Sequence, residues 1–135
     1  MTGLALLFDT GCFVLIWLVQ LVIYPSFQHY RPTEFKIWHS RYTKRVTYVV
    51  LPLMLGQLVL GTIQATSFDV LPVFKLIFIL ATWLVTFVFF VPLHNKMDKT
   101  EEIQDGTKAL VKQNWVRTGL WSLIFVISVV QYFTI

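Results

Sequence analysis

Apolar and polar positions along the 135-residue chain alternate on the scale of whole membrane spans. Four apolar runs stand between polar connections: Gly3 to Tyr24, Val46 to Ala65, Leu71 to Val91, and Trp115 to the C-terminus. About 20 helical residues cross a ~30 Å hydrocarbon core. In lipid only a helix satisfies its own backbone over such a run. The pattern therefore predicts an all-α, four-transmembrane-helix bundle, with residues 1–135 as a single domain. Pro25 and Pro92 are expected to end helices one and three, because proline lacks the N–H that continues a helix and restrains the residue before it. Pro52 lies inside the second run and predicts a kink there.

The stretch Thr33 to Ala65 organises the rest. It reads as one helix that starts in water, enters the bilayer near Val46 and leaves near Thr66. Thr33 is the expected N-cap, with Glu34 as a favourable first-turn carboxylate. Phe35, Trp38, Tyr42 and Val49 recur at helical spacing and predict one face. In the second long connection, Asp98 and Glu101 form a capping pattern before Ile103, and Gly106 is expected to interrupt or end a short helix. Leu110, Asn114, Arg117 and Trp121 then mark one face of helix four. Helices two and four are thus expected to extend past the membrane into the cytoplasm.

Composition supports a lipid environment. Hydrophobic residues make up 56% of the chain and charged residues 13%, against about 25% charged in ordinary globular proteins. The net charge of +4 would suit a nucleic-acid-binding protein, but its placement points elsewhere. Of 11 Lys and Arg residues, all but Lys75 lie in the connections 25–45 and 92–117. The positive-inside rule puts those connections in the cytoplasm and both termini outside a cell inner membrane, without nucleic acid as a partner. The first run has no basic segment before it and no small-residue cleavage site after it, so it is expected to remain as a helix. The single cysteine, Cys12, excludes an internal disulfide.

Polar residues inside such spans are costly and each needs a reason. Asp9 and Lys75 fall at similar depth near the outer side and are expected to pair. Asp9 and Gln20 share a face, which leaves an ion or proton path open as a second reading. Gly61 and Ala65, with Gln57 and Gln64, suggest a packing or homo-oligomer face. The other polar group is cytoplasmic: His39, Tyr42, Arg45, His94, Asn114 and Arg117 converge on one mouth of the bundle. Asp98 is placed to orient the His94 ring if the helix runs past Pro92. Three readings of this mouth are open. It anchors and hydrogen-bonds helices at headgroup level. It binds a substrate, quinone or lipid headgroup. Or His39 and His94 ligate a transition metal or haem. Against direct pairing of the histidines, His39 lies ~10 Å before the apolar run, at about 1.5 Å per residue, whereas His94 lies at its boundary. No phosphate loop, H-E-x-x-H or G-x-S-x-G motif is present.

The segments YPSF at 24–27, WHSRYTKRV at 38–46, VPLHNKM at 91–97 and LVKQNWVRT at 110–118 are distinctive. Together they resemble a family of small bacterial four-helix membrane proteins of unassigned function, with a more distant similarity to anthrone-oxygenase-like proteins. The more distant similarity rests on size, four spans and scattered polar positions; it implies action on a polycyclic aromatic substrate and transfers no catalytic residue by motif. The resulting expectation is a small membrane oxidoreductase or oxygenase-like protein with a hydrophobic or quinone-like ligand. His39 or His94 would move a proton or ligate a metal, Tyr42 and Asn114 would orient the ligand, and Arg117 or Arg45 would stabilise negative charge. The alternatives are a non-enzymatic membrane assembly subunit and a small oligomeric transporter using Asp9 and Gln20.

Overall fold

A computed structural model describes residues 1–99 and 103–134. Four helices long and apolar enough to cross a membrane follow one another: α1 (Thr2–His29), α2 (Pro32–Ala65), α3 (Val70–Met97) and α4 (Ile103–Thr134). They form an up-down bundle with α1 against α4 and α2, and α3 against α4 and α2. Both termini and the turn after α2 lie at one end, here the terminal end. The basic connections lie at the other, here the basic end. Most large side chains on the outer faces are apolar and exposed, including Leu7, Val14, Val59, Ile77, Leu84 and Val126. This is the surface that lipid requires.

Each helix turns a narrow, partly polar stripe inward. On α4 the stripe runs Ile103, Thr107, Leu110, Asn114, Arg117, Trp121, Ile124, Ser128 and Gln131 at near-helical period. On α2 it runs Phe35, His39, Tyr42, Met54 and Gln57. Val49 is 53% exposed and faces outward, so the expected face is rotated toward His39. The N-cap position of α2 is Arg31 rather than Thr33, because Pro32 occupies the first turn, where its missing N–H costs nothing. Helix α4 runs unbroken through Gly106. The capping pattern that ends at Glu101 lies outside the described residues.

Pro25 and Pro92 do not end their helices. Upstream of each, the helix widens into a π-turn, at Val19–Ile23 in α1 and Thr86–Phe90 in α3. The Tyr24 N–H donates to the Val19 carbonyl and the Val91 N–H to the Thr86 carbonyl, each five residues back. The wider turn relieves the clash that a proline ring makes with the preceding carbonyl and lets the chain continue. It also resets the register. Thr82, Phe90 and His94 of α3 stay on one inward-facing line at steps of four or eight, although 3.6 residues make an α-helical turn. Tyr24 and His94 are delivered to the interior in this way.

At the terminal end one polar cluster joins all four helices. Lys75 of α3 contacts the Asp9 carboxylate of α1 at 3.2 Å and donates to Ser128 of α4 at 3.0 Å. Ser128 also donates to Asp9. Gln57 of α2 donates to the other Asp9 oxygen at 2.7 Å and accepts from the Trp121 indole N–H at 3.0 Å. The expected Asp9–Lys75 pair is present and buried. Of the packing or oligomer face read from sequence, Gln57 and Gly61 serve packing inside the bundle; a Cβ on Gly61 would meet Ile79 at 2.6 Å.

Asp9→Ala leaves Lys75 buried without a counter-charge and should cost about 3–5 kcal/mol, seen as a lower thermal midpoint in detergent. Adding Lys75→Met should recover most of that loss; a double variant no more stable than the single one would mean that the pair is not what links these residues. A methyl on Gly56 would meet the Phe8 ring, so Gly56→Ala should cost about 1–3 kcal/mol. Gly119 has nothing within 4 Å of an added Cβ, and Gly119→Ala should stay within about 1 kcal/mol of the parent.

Candidate functional site: a hydrogen-bonded histidine chain beside a buried arginine

At the basic end the sequence builds a second polar cluster. His39 is fully buried on α2, one turn from both Phe35 and Tyr42. Its ring stacks on Phe35 at 4.9 Å and meets the edge of Phe27 at 5.5 Å. His39 Nδ1 lies 2.7 Å from Asp98 Oδ1, and His39 Nε2 lies 2.7 Å from His94 Nδ1. His94 Nε2 lies 3.1 Å from the Tyr24 hydroxyl. The histidines thus pair directly, against the depth mismatch expected from sequence. Continuation of α3 past Pro92 carries His94 beyond the apolar run to the level of His39. Asp98 orients His39, not His94 as expected.

The chemistry of these groups fixes how the protons run. An ionised Asp98 can only accept, so His39 Nδ1 carries a hydrogen. With both rings neutral, His39 Nε2 accepts from His94 Nδ1–H, and His94 Nε2 accepts from the Tyr24 O–H. One proton added to His39 reverses both upstream bonds: His39 Nε2–H donates to His94, and His94 Nε2–H donates to Tyr24. The same heavy-atom positions hold both states. Tyr24–His94–His39–Asp98 can therefore pass a proton without moving a side chain. Its Asp98 end is 36% exposed and its Tyr24 end is buried.

All four imidazole nitrogens of His39 and His94 face protein partners. Among the described residues no group of three His, Cys, Asp or Glu side chains is gathered to hold a metal. A metal or haem ligated by His39 and His94 would have to break this chain, so the donor set does not fit that role as arranged.

Beside the chain is a cavity of about 400 Å³. Tyr24, Tyr42, His94 and Arg117 line its inner wall, with Trp121 below. Arg117 is 6% exposed, and its guanidinium carbon sits 4.4 Å from the Phe90 ring centre and 5.0 Å from that of Trp121. The charge also lies near the Tyr24 and Tyr42 hydroxyls. Its Nε has no hydrogen-bond partner, and among the described residues no carboxylate pairs with it. Ring faces attract a cation, by about 2 kcal/mol when desolvated, which does not replace a counter-ion.

Of the residues named from sequence, His39, Tyr42, His94 and Arg117 are brought together. Asn114 is not part of the cavity wall. It donates to Gln20 at 2.7 Å, and Gln20 donates to the Val111 carbonyl at 3.1 Å, so both lock α1 to α4. Gln20 and Asp9 consequently belong to separate networks. Arg45 is exposed and does not reach the cavity, and His29 is exposed at the end of α1. Sequence reading missed Tyr24 and the partner of Asp98. The YPSF segment carried the signal for Tyr24, but the following proline marked that tyrosine as a helix end rather than as a side chain held inward by a π-turn.

Comparisons with known protein families, curated protein sequences and solved structures find no match to this chain.

Proposed function

We propose that this is a small membrane oxidoreductase or oxygenase-like protein that binds a hydrophobic, quinone-like ligand at the basic end of the bundle. The observation that carries this reading is Arg117: a buried guanidinium that no carboxylate among the described residues pairs with, set in the wall of a mostly apolar cavity. Removing a charge from water without a partner is expensive. An oxygen that is or becomes negative offsets that cost. The carbonyl of a quinone, or the hydroxyl of a fused-ring phenol, supplies such an oxygen on an otherwise apolar body. Arg117 and Tyr42 would stabilise the oxyanion as it forms. Where the ligand is the phenol, its O–H proton would pass to Tyr24 as Tyr24 gives its own to His94, and the His94–His39–Asp98 chain would carry the proton to the surface; a quinone has no proton to give and would be held through its carbonyl oxygen alone.

In this reading the basic end is cytoplasmic, as the positive-inside rule places it, and the membrane is the inner one. Asp98 then exchanges its proton with cytoplasmic water.

The test is binding of a decyl-chain dimethoxy-methyl-benzoquinone to the detergent-purified protein, followed by quenching of tryptophan fluorescence. Trp83 and Trp121 line the cavity and report on it directly. Truncating one partner of a buried charged contact costs about 2–5 kcal/mol. Arg117→Ala should therefore weaken binding by about 30-fold or more, at about 1.4 kcal/mol per tenfold. His94→Ala should also weaken it, with the helical signal of both variants retained. Unchanged affinity in both variants would remove the site as drawn.

A further inference from the structure

We infer that the ligand is a single-tailed amphiphile that reaches the cavity sideways from the bilayer, its oxygen-bearing head against Arg117 and its hydrocarbon chain left between α2 and α3. This rests on the ligand reading above and adds the ligand's class and its route.

The cavity is a slot rather than a closed chamber. One long wall is consecutive turns of α2, from Tyr42 through Val46 and Val50 to Met54, and the other is α3, from Trp83 through Phe90 to His94. Near the terminal end the same helices close up, with Gly61 of α2 against Ile79 of α3. The slot opens on the outer surface of the bundle. Leu51, at 39% exposure, and Phe87, at 54%, line it and also face outward. Both fall within the apolar runs, so what they meet outside is lipid.

Polarity is graded along the slot. The groups that can hold an oxygen (Tyr24, Tyr42, His94 and Arg117) lie toward the basic end. The groups toward mid-bilayer are mostly apolar: Met54, Leu51, Phe87 and the Trp83 ring, whose indole N–H is the one donor there without a partner among the described residues. A compact polar ligand would leave the apolar half unused. A bare hydrocarbon would offer Arg117 no oxygen. A polar head followed by a chain matches both halves in order. The aqueous rim carries Asn95 and the Asp98 carboxylate, so a ligand with a hydrocarbon chain entering there would have to carry that chain through water and past polar groups. The bilayer side carries no such barrier to a neutral-headed amphiphile.

Lipid is as apolar as the slot wall, so the chain gains little by contact with protein. Its contribution is to concentrate the ligand in the membrane and to align the head with the slot. The test therefore has to separate partitioning from passage. Dimethoxy-methyl-benzoquinone with and without a decyl chain is titrated against the full chain in phosphatidylcholine nanodiscs, with ligand expressed as its mole fraction in the lipid. The slot is narrowed by Thr47→Phe and, independently, by Val50→Phe, with folding checked by the helical melting curve. Thr47 is exposed at the surface of the slot and tolerates added volume. The expected result is that at least one folded variant weakens the decyl compound at least tenfold more than the tail-less head. Equal effects on both compounds, whether large or absent, would overturn the sideways route while leaving the head site intact. Binding of neither compound to the parent chain, or full binding to Arg117→Ala, would instead overturn the ligand reading on which the route depends.

Discussion

Helices in a bilayer gain little from hydrophobic burial against one another, since lipid is an equally good solvent for leucine. What distinguishes one bundle from the many ways of laying four apolar helices side by side is the small set of polar groups that lipid cannot satisfy. Here the Asp9 carboxylate is the centre of that set. It receives Lys75 from α3, Ser128 from α4 and Gln57 from α2, and Gln57 in turn accepts from Trp121. Sliding any helix by one turn would expose at least one of these groups to hydrocarbon. The cluster therefore sets the register of all four helices at the terminal end, and that register decides which residues meet at the basic end some turns away.

Two further polar layers follow down the same axis. Gln20 and Asn114 tie α1 to α4, and below them His39 and His94 tie α2 to α3. The first two layers are matched in charge or neutral. The third is not, because Arg117 stands beside the histidine chain and no carboxylate among the described residues pairs with it. If polar groups served only to fix register, an asparagine or glutamine would do so at Arg117 without a buried charge, as Gln57 and Asn114 do on the same bundle. Keeping a guanidinium there sacrifices stability, and that sacrifice is the physical ground for reading a ligand site at this end and a structural one at the other.

The four spans and the extended second helix were legible in the sequence because length and hydropathy are local properties. The Asp9–Lys75 contact was legible because two opposite charges in apolar runs have few ways to be satisfied. His39, Tyr42, His94 and Arg117 could be named as a group because topology puts their segments at one end. What could not be read was the inward rotation of Tyr24 and His94. Proline reads locally as a stop, and the wide turn that lets the helix pass it depends on neighbouring helices holding the next turn in place. The same gap explains Asn114: its spacing from Arg117 puts both on one face, but only the position of Gln20 across the bundle decides that the amide is consumed in a helix contact.

The two π-turns are also what make the site possible, and they act as a pair. Each widens a helix just before a proline, at Val19–Ile23 in α1 and Thr86–Phe90 in α3. Each is followed by a residue of the proton chain, Tyr24 directly and His94 one turn later. An unbroken α-helix would carry these side chains progressively around the axis, since a four-residue step overshoots the turn of 3.6. The overshoot accumulated between Thr82 and His94 would turn the imidazole away from His39 and open the 2.7 Å contact. Continuity past the prolines and convergence on the cavity are thus one requirement met by one device. Wide turns of this kind cost hydrogen-bond geometry and are found mostly where function needs a side chain aimed. In this chain what they aim is a tyrosine hydroxyl and an imidazole, at the wall that also holds the buried Arg117.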